Sequence, residues 1–254
     1  MTTVLDIYSY IDSFAPFSAA EDWDNVGVLV GDESAAVTKA VVSLDITNGV
    51  LDEAKKLGAE LVISHHPIIF GGIKKLGSDS PVYRAAQYGI SCICAHTNLD
   101  KSPVFGVNTA LSDALGLTDC KVSGSNEILF TANTLSPVSA RELAKSACER
   151  LGIESVSYID GGRTFSKVGV CSGGGGGEIF SAFKEGCGAF VTGEIKHHEL
   201  LFAKEHGISV FVLGHYKSED VVIGPLAQLL SEKFTETVFV KSKVFTDGVT
   251  HFSI

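Results

Sequence analysis

Five residues of this chain have the types and the spacing that could hold metal ions: His65, His66, Asp100, His215 and Glu219. They lie in three short segments, SHHPIIF at 64–70, AHTNLD at 95–100 and GHYKSE at 214–219. Three imidazoles and two carboxylates are too few for two isolated metal sites, but they suffice for two divalent ions that share a carboxylate and a bridging water. A hydroxide that bridges two cations can attack phosphorus or carbon, so the pattern predicts hydrolytic chemistry at a dinuclear site.

The donor types also narrow the choice of metal. Mixed imidazole and carboxylate ligation without thiolate favours Zn, Mn, Fe or Co over a structural zinc site of the cysteine type. Few protein ligands for each ion leave coordination positions open, which favours catalysis over a structural role. The sequence therefore predicts two divalent metal ions per subunit and leaves their identity open.

Each segment also has an interpretation without metal. His65 and His66 would point to opposite faces of a regular strand, whereas at a strand end before a proline both rings can converge. Asp100 could cap a helix, and His215 could simply pair with Glu219 if a helix places them one turn apart. The metal interpretation is favoured because every segment follows an apolar, β-branched run, and an open α/β sheet presents its ligands at such strand ends.

Four further residues are candidates around the site. His96 and Glu194 are predicted catalytic residues. His96 follows a strand and could transfer protons or hold the aspartate four residues on, while Glu194 takes the place of the histidine pair in the second half of the chain. Asn25 and His198 are predicted pocket residues, although a structural turn is an equally good interpretation for Asn25.

Alternating strands and helices would position these residues. The hydrophobic pattern predicts strands at 38–46, 60–64, 90–95, 166–173, 189–193 and 208–214. It predicts helices at 48–58, 81–89, 178–188 and 197–207, and another after Ser139, which forms a capping box with Glu142. Segments 126–160 and 234–254 indicate extra strands, and the five glycines at 173–177 favour a flexible strand–helix connection over a phosphate-binding loop. Strands separated by helices predict an α/β fold with mostly parallel sheets.

A repeated pattern predicts internal duplication. Gly-Ile-Ser occurs at 89–91 and at 207–209, and each copy precedes a strand and then a histidine four residues before an acid. A period this long favours two similar, facing α/β lobes with the dinuclear site between them, although any two βαβ units share glycine stops and apolar strands. The predicted lobes are 1–123, with His65, His66 and Asp100, and 124–254, with His215 and Glu219; C-terminal strands could pack back on the first lobe.

The composition of the chain limits which binding partners are expected. The 254 residues carry a formal net charge of −10, so a nonspecific nucleic-acid or membrane surface is disfavoured. Only Lys74, Lys75, Lys196 and Lys217 near the motifs keep single-strand processing open as a minor alternative. The chain shows no basic leader, no apolar run long enough to span a membrane and no CxxC spacing among six cysteines. These features predict a soluble, cytoplasmic protein with reduced core thiols.

The motifs resemble a known family. SHHPIIFGGIKKL, AHTNLD, TGEIKHHE and GHYKSE, with DWDNVG near the start, are similar to the family called GTP cyclohydrolase 1 type 2 homolog, or NGG-interacting-factor-three-like. The resemblance covers nearly the whole chain. It implies a dinuclear metal protein with two α/β lobes per subunit, a toroidal homohexamer and metal ligands at the five positions named above. Some members carry a large insertion domain between the lobes, and the length of this chain implies the short form.

Two classes of function follow from these observations. The first is a metal-dependent hydrolase that uses a bridging hydroxide on a small nucleotide-like or phosphorylated substrate, with GTP ring opening as the version in the family's name. Against that version, no carboxylate for the guanine edge can be identified. The second class is a non-enzymatic metal-binding or regulatory protein that acts through protein partners. The surplus of proton-transfer groups, His96 foremost, favours the enzyme.

Overall fold

A computed structural model describes residues 1–124, 126–244 and 248. Its strands are β1 (Gly27–Val30), β2 (Lys39–Ser43), β3 (Leu61–Ser64), β4 (Ser91–Cys94), β5 (Thr118–Val122), β6 (Phe130–Val138), β7 (Ser157–Ile159), β8 (Phe165–Cys171), β9 (Ala189–Thr192), β10 (Ser209–Val212) and β11 (Val238–Lys241). Its helices are α1 (Val4–Phe14), α2 (Asn48–Leu57), α3 (Pro81–Tyr88), α4 (Thr97–Asp100), α5 (Val107–Leu115), α6 (Ala140–Leu151), α7 (Ile179–Lys184), α8 (His197–His206), α9 (His215–Glu219) and α10 (Ile223–Lys233). Among the described residues, no helix is both long enough and apolar enough to cross a membrane.

These elements form two compact units. The first combines residues 1–13 and 22–96 with the described residues from 223 onward, and the second combines residues 14–21 and 97–222. A compact unit need not coincide with one half of a repeat. The division into lobes 1–123 and 124–254 therefore stays a prediction about the repeat.

The first unit is built on a five-stranded sheet in the order β1-β4-β3-β2-β11. All its neighbours run parallel except β1, which pairs antiparallel with β4. Strands β3 and β4 are buried at every residue, as expected for apolar strands of a parallel sheet that is covered on both faces. Helices α2 and α3 each end at a glycine in the left-handed conformation, Gly58 and Gly89. The strand near the C-terminus, β11, thus lies in the sheet of the N-terminal strands.

The second unit is built on a six-stranded sheet in the order β5-β6-β8-β9-β10-β7. Only β8, β9 and β10 run parallel, and the other three of its five strand pairs are antiparallel. The prediction of mostly parallel sheets is therefore correct for the first unit and wrong for the second. The physical reason is that β5 and β6 are joined by a short connection, which permits only an antiparallel pair.

The predicted helices and strands are otherwise confirmed to within a few residues, including the capping box of Ser139 and Glu142 at α6. Helices α1, α5 and α10 were not predicted from the sequence. Helix α10 carries Gly224 and Pro225 in its first turn, where proline is tolerated because the backbone N–H has no helical partner there. The glycine run is a strand–helix connection, but it contains a 3₁₀ turn at Gly175–Glu178 with closely packed glycines. Of the region 234–254, only residues up to 244 and residue 248 are described, and β11 is its one strand there.

The cysteines are thiols, as predicted, since none of the six forms a disulfide. Cys92 and Cys94 share one buried apolar cluster of the first unit. Burial raises the pKa of Cys94 to about 11, so this thiol stays protonated near neutral pH and is a poor metal ligand.

The stability of the second unit is expected to depend strongly on the core residue Phe130. It is fully buried on β6, in a cluster with β8, α5 and α6. Phe130→Ala should lower the free energy of unfolding by about 3–5 kcal/mol, because it removes a large apolar side chain and leaves a cavity. Urea denaturation measures the loss. Leu135→Ala on the same strand, where the side chain is 86% exposed, should change stability little, and equal losses in both variants would contradict the prediction.

Candidate metal centre

The carboxyl ends of three parallel strands in the first unit carry the candidate ligands. Asp45 follows β2, His65 and His66 follow β3, and His96 follows β4. Because β2, β3 and β4 are parallel and in register, these side chains emerge at one edge of the sheet. Such an edge is where open α/β sheets bind ligands.

Each of the three histidines has its Nδ1 held by an oxygen of the same unit. His65 Nδ1 lies 2.9 Å from the carbonyl oxygen of Ala95. His66 Nδ1 lies 2.8 Å from Asp45 Oδ1, and His96 Nδ1 lies 2.9 Å from Asp24 Oδ1. An oxygen acceptor at Nδ1 fixes the tautomer and directs metal binding to Nε2, which is the usual arrangement around histidine ligands.

The three imidazoles form one cluster. Their ring centroids are 5.1 Å apart for His65–His66, 5.1 Å for His65–His96 and 5.5 Å for His66–His96. One ligand atom from each of them lies within 4.8 Å of the others, so the group could hold a metal ion. His65 is buried, whereas the other two are partly buried. The structure thus includes His96 in a ligand-like group, while the sequence suggested a role in proton transfer.

The turn after β3 explains how two adjacent histidines converge. The backbone N–H of His66 donates to the carbonyl oxygen of Leu44, so β3 continues to pair with the segment after β2 beyond the end of the strand. The Ser64 hydroxyl donates to the carbonyl oxygen of His66 at 2.7 Å, and the N–H of Ile68 donates to Cys94 Sγ at 3.4 Å. These bonds turn the chain out of the pleat, and the expected convergence of the two rings is confirmed.

Candidate site residues of the second unit also lie after parallel strands. Gly173 follows β8, Glu194 follows β9 and His215 follows β10, again at the carboxyl ends of three parallel strands. Helix α9 places Glu219 one turn after His215, and Glu219 Oε2 lies 3.1 Å from His215 Nε2. Glu194 Oε1 lies 3.3 Å from His215 Nδ1, so Glu194 is placed to orient this imidazole rather than to act alone.

Asp100 belongs to the same unit. It is the last residue of the short helix α4 and is only 9% exposed, so the alternative of a helix N-cap is wrong. The side chain of Asn108 donates to the carbonyl oxygen of Asp100 and accepts from the N–H of Ser172, which ties α4 to the end of β8. Burial, and then the negative charges of Asp100, Glu178 and Glu219, raise the pKa of the Cys171 thiol well above its usual value.

Gly173 leaves the space that Glu219 occupies. Its φ is +56°, and an added Cβ would lie 2.0 Å from Glu219 Oε1 and 3.3 Å from His215 Nε2. Its N–H donates to Ser218 Oγ at 2.9 Å, so the backbone cannot easily move away. The close approach requires a glycine at this position.

Gly173→Ala is therefore expected to weaken metal binding about 10- to 100-fold, because it displaces a candidate ligand without removing it. Isothermal titration with Zn²⁺ measures the change. Gly186→Ala is the matched control, since Gly186 has φ +75° in the same unit but open space around its Cβ position. If both variants lose zinc affinity to the same extent, the loss comes from the strained backbone alone. The prediction that a displaced Glu219 weakens binding is then wrong.

The two predicted pocket residues have different surroundings. Asn25 donates from Nδ2 to the carbonyl oxygen of Ile69 at 2.7 Å, which ties the DWDN segment to the chain after the histidine pair. His198 is two-thirds exposed on α8, with Nε2 3.8 Å from Glu199 Oε1. Their roles as pocket residues stay predictions.

Asp24 and Asp45, the two carboxylates that hold imidazoles of the first unit, were not predicted from the sequence. Asp45 was missed because the predicted strand 38–46 included it, whereas the strand of the structure ends at Ser43 and leaves Asp45 beyond its carboxyl end. Asp24 had no signal in the sequence. Its side chain is fully buried against His96, more than seventy residues away in sequence.

Imidazole and carboxylate groups at the ends of parallel strands define a mixed α/β protein with groups that could bind a metal. The chain belongs to the Duf34/NIF3 (NGG1p interacting factor 3) family, whose profile matches residues 2–248. It is 31% identical over 245 residues to a "GTP cyclohydrolase 1 type 2 homolog" of Campylobacter jejuni, covering 94% of this chain and 96% of that protein. The predicted family is thereby confirmed.

Two relatives from Staphylococcus aureus extend the comparison. A crystal structure of a hypothetical protein superposes with a TM-score of 0.90 at 28% identity, over 98% of this chain and 99% of that one. A curated relative, also called GTP cyclohydrolase 1 type 2 homolog, is 25% identical over 363 alignment positions, covering 98% of this chain and 99% of that protein. Because this chain has 254 residues, that relative carries inserted sequence which the chain lacks, in agreement with the short form.

Proposed function

We propose that the chain is a divalent-metal-dependent hydrolase that acts on a small nucleotide-like or phosphorylated substrate. The observation that carries the proposal is the set of three imidazoles whose Nδ1 atoms are each held by an oxygen, with their ligand atoms within 4.8 Å of one another. Histidines oriented in this way are typical of metal sites.

The residues present suit two ions of the predicted kinds. We propose His65, His66, Asp100, His215 and Glu219 as ligands, and zinc, manganese, iron or cobalt as the metal, because the donors are nitrogen and oxygen without thiolate. Bound divalent ions would activate water as a nucleophile and stabilise negative charge as it develops.

The other residues have roles that follow from their contacts. His96, oriented by Asp24, is placed to transfer a proton through Nε2. Glu194 holds His215 at Nδ1 and so positions a ligand. The chain carries a formal net charge of −10, so a negatively charged substrate would depend on the metals to offset the negative field.

Metal content tests the proposal. Protein purified without chelator should contain about two divalent ions per chain by elemental analysis, and metal-loaded protein should hydrolyse at least one of GTP, nucleoside monophosphates or bis-p-nitrophenyl phosphate. GTP is included because the relatives carry that activity in their names. Protein that holds no metal after reconstitution with Mn, Zn, Co and Fe(II) contradicts the proposal. Metal without turnover favours the regulatory, non-enzymatic alternative.

The remaining predictions concern the whole assembly. We propose the toroidal homohexamer that the family resemblance implies and the cytoplasmic location that the sequence features predict. Sedimentation velocity should give a single species of about six times 26.8 kDa, and a monomer at micromolar concentration would contradict the hexamer.

A further inference from the structure

Two large aromatic side chains stand exposed beside the histidine cluster of the first unit. Trp23 is 63% exposed and Phe70 is 61% exposed. Both contact the same imidazole, since the ring centroid of His96 lies 6.0 Å from that of Trp23 and 5.6 Å from that of Phe70, each with an interplanar angle of 78°. Each ring therefore places an edge or a face near the predicted proton-transfer residue.

The two segments that carry these rings are joined by polar contacts. The residues next to Trp23 are fixed, because Asp24 binds His96 and Asn25 donates to the carbonyl oxygen of Ile69. Ile69 directly precedes Phe70. The two segments that carry the rings are thus tied to each other and to the histidine cluster.

The exposure of Trp23 and Phe70 beside polar side chains is typical of a binding surface. Leaving a tryptophan and a phenylalanine in water forgoes the burial of large apolar surfaces, and clustered exposed apolar side chains mark binding sites more often than isolated ones do. The neighbouring groups here are imidazoles that could hold a metal, so the surface combines two exposed apolar rings with reactive polar groups. That combination suits a ligand that is itself flat and apolar on one part and polar on another.

We propose that Trp23 and Phe70 form an aromatic wall beside His96 that binds the planar heteroaromatic ring of the substrate, a nucleobase or a ring of the same kind. This inference rests on the proposed function and assigns its substrate class. Aromatic side chains bind any base through its π-face, so the wall selects for a heteroaromatic ring without specifying which base. Asn25 would act as a positioning residue, because it joins the two segments.

The fluorescence of Trp23 tests the inference directly, because Trp23 is the only tryptophan of the chain. Wild-type protein, metal-free and zinc-loaded, is titrated with guanosine, with uridine and with ribose 5-phosphate, and the emission is corrected for absorption by the base. Guanosine and uridine should quench the emission in a saturable way, whereas ribose 5-phosphate should not. No saturable quenching by either nucleoside, or equal quenching by ribose 5-phosphate, would overturn the proposal.

Variants separate stacking from other effects. Phe70→Leu should weaken guanosine binding about 5- to 150-fold, the loss expected for one stacked ring. Tyr83→Leu removes another exposed aromatic ring of the same unit and should leave binding unchanged. Trp23→Leu, measured by calorimetry, should weaken binding similarly. A loss of oligomeric mass in Trp23→Leu or Phe70→Leu, with nucleoside affinity intact, would show that the rings contact a second copy of the chain and would overturn the proposal.

Elemental analysis of the same samples distinguishes this inference from the proposed function. If the protein binds metal but no nucleoside quenches Trp23, the aromatic wall is wrong and the hydrolase proposal stands. If nucleosides quench Trp23 but no metal binds after reconstitution, the hydrolase proposal fails and the wall remains a nucleobase site.

Discussion

Asp100→Ala is expected to reduce the metal content from about two ions per chain to one or fewer, because a carboxylate shared by two ions contributes to both sites. Asp100 is buried at the end of α4, and its backbone is fixed through Asn108 to the end of β8. Elemental analysis of protein purified without chelator measures the loss.

Two controls keep this result interpretable. Asp113→Ala removes the same charge from an exposed position of the same unit and should leave the metal content unchanged. Thermal unfolding of Asp100→Ala after prolonged chelation, compared with equally treated wild type, shows whether the variant is folded. A folded Asp100→Ala protein that keeps its full metal content would exclude Asp100 as a ligand and with it the shared site.

His96→Ala is expected to lower turnover about 10²- to 10⁴-fold, the usual contribution of a general acid or base, with the metal content unchanged. The reason is geometric, because Asp24 holds Nδ1 of His96 and presents Nε2 to the two neighbouring imidazoles. The assay uses whichever substrate the metal-loaded wild type hydrolyses, with metal content measured on the same sample. If metal is lost together with turnover, His96 is a fourth imidazole ligand beside His65, His66 and His215, as its membership of the histidine cluster also permits.

Asp24→Asn tests the hydrogen bond between Asp24 and His96 by changing the carboxylate. The substitution keeps the size of a fully buried side chain but removes the charge that orients His96. We expect a fall in turnover of about 10- to 100-fold with retained metal, as for other residues that orient a histidine from behind. Asp52→Asn makes the same chemical change at an exposed ion pair with Arg84 in the first unit and should have little effect. Equal losses in both variants would assign the effect to stability.

The positions of the candidate ligands could be predicted from the sequence because two short-range rules act together. Apolar runs of four to seven residues separated by helical segments predict parallel strands, and polar residues directly after such runs lie at their carboxyl ends. This reasoning placed His65, His66 and His215 at strand ends, where the structure has them. It also predicted the helical spacing of His215 and Glu219.

The sequence could not predict the mixed second sheet or the helices α1, α5 and α10. Whether β6 pairs with β8 in parallel or antiparallel depends on how distant strands meet, and both arrangements bury similar apolar patterns. Helix α10 carries a glycine and a proline in its first turn, so its local signals indicate a break where tertiary packing stabilises a helix.

The sequence by itself determined the family, the short form of the chain, the alternation of strands and helices and four predicted ligands that belong to groups able to hold a metal, His65, His66, His215 and Glu219. Only the tertiary structure decided which oxygens orient each imidazole, that Gly173 makes room for Glu219 and that Trp23 and Phe70 share a contact with His96. The physical reason is that local sequence sets backbone conformation and burial, whereas a hydrogen bond or ring contact between residues far apart in the chain depends on the three-dimensional path of both segments.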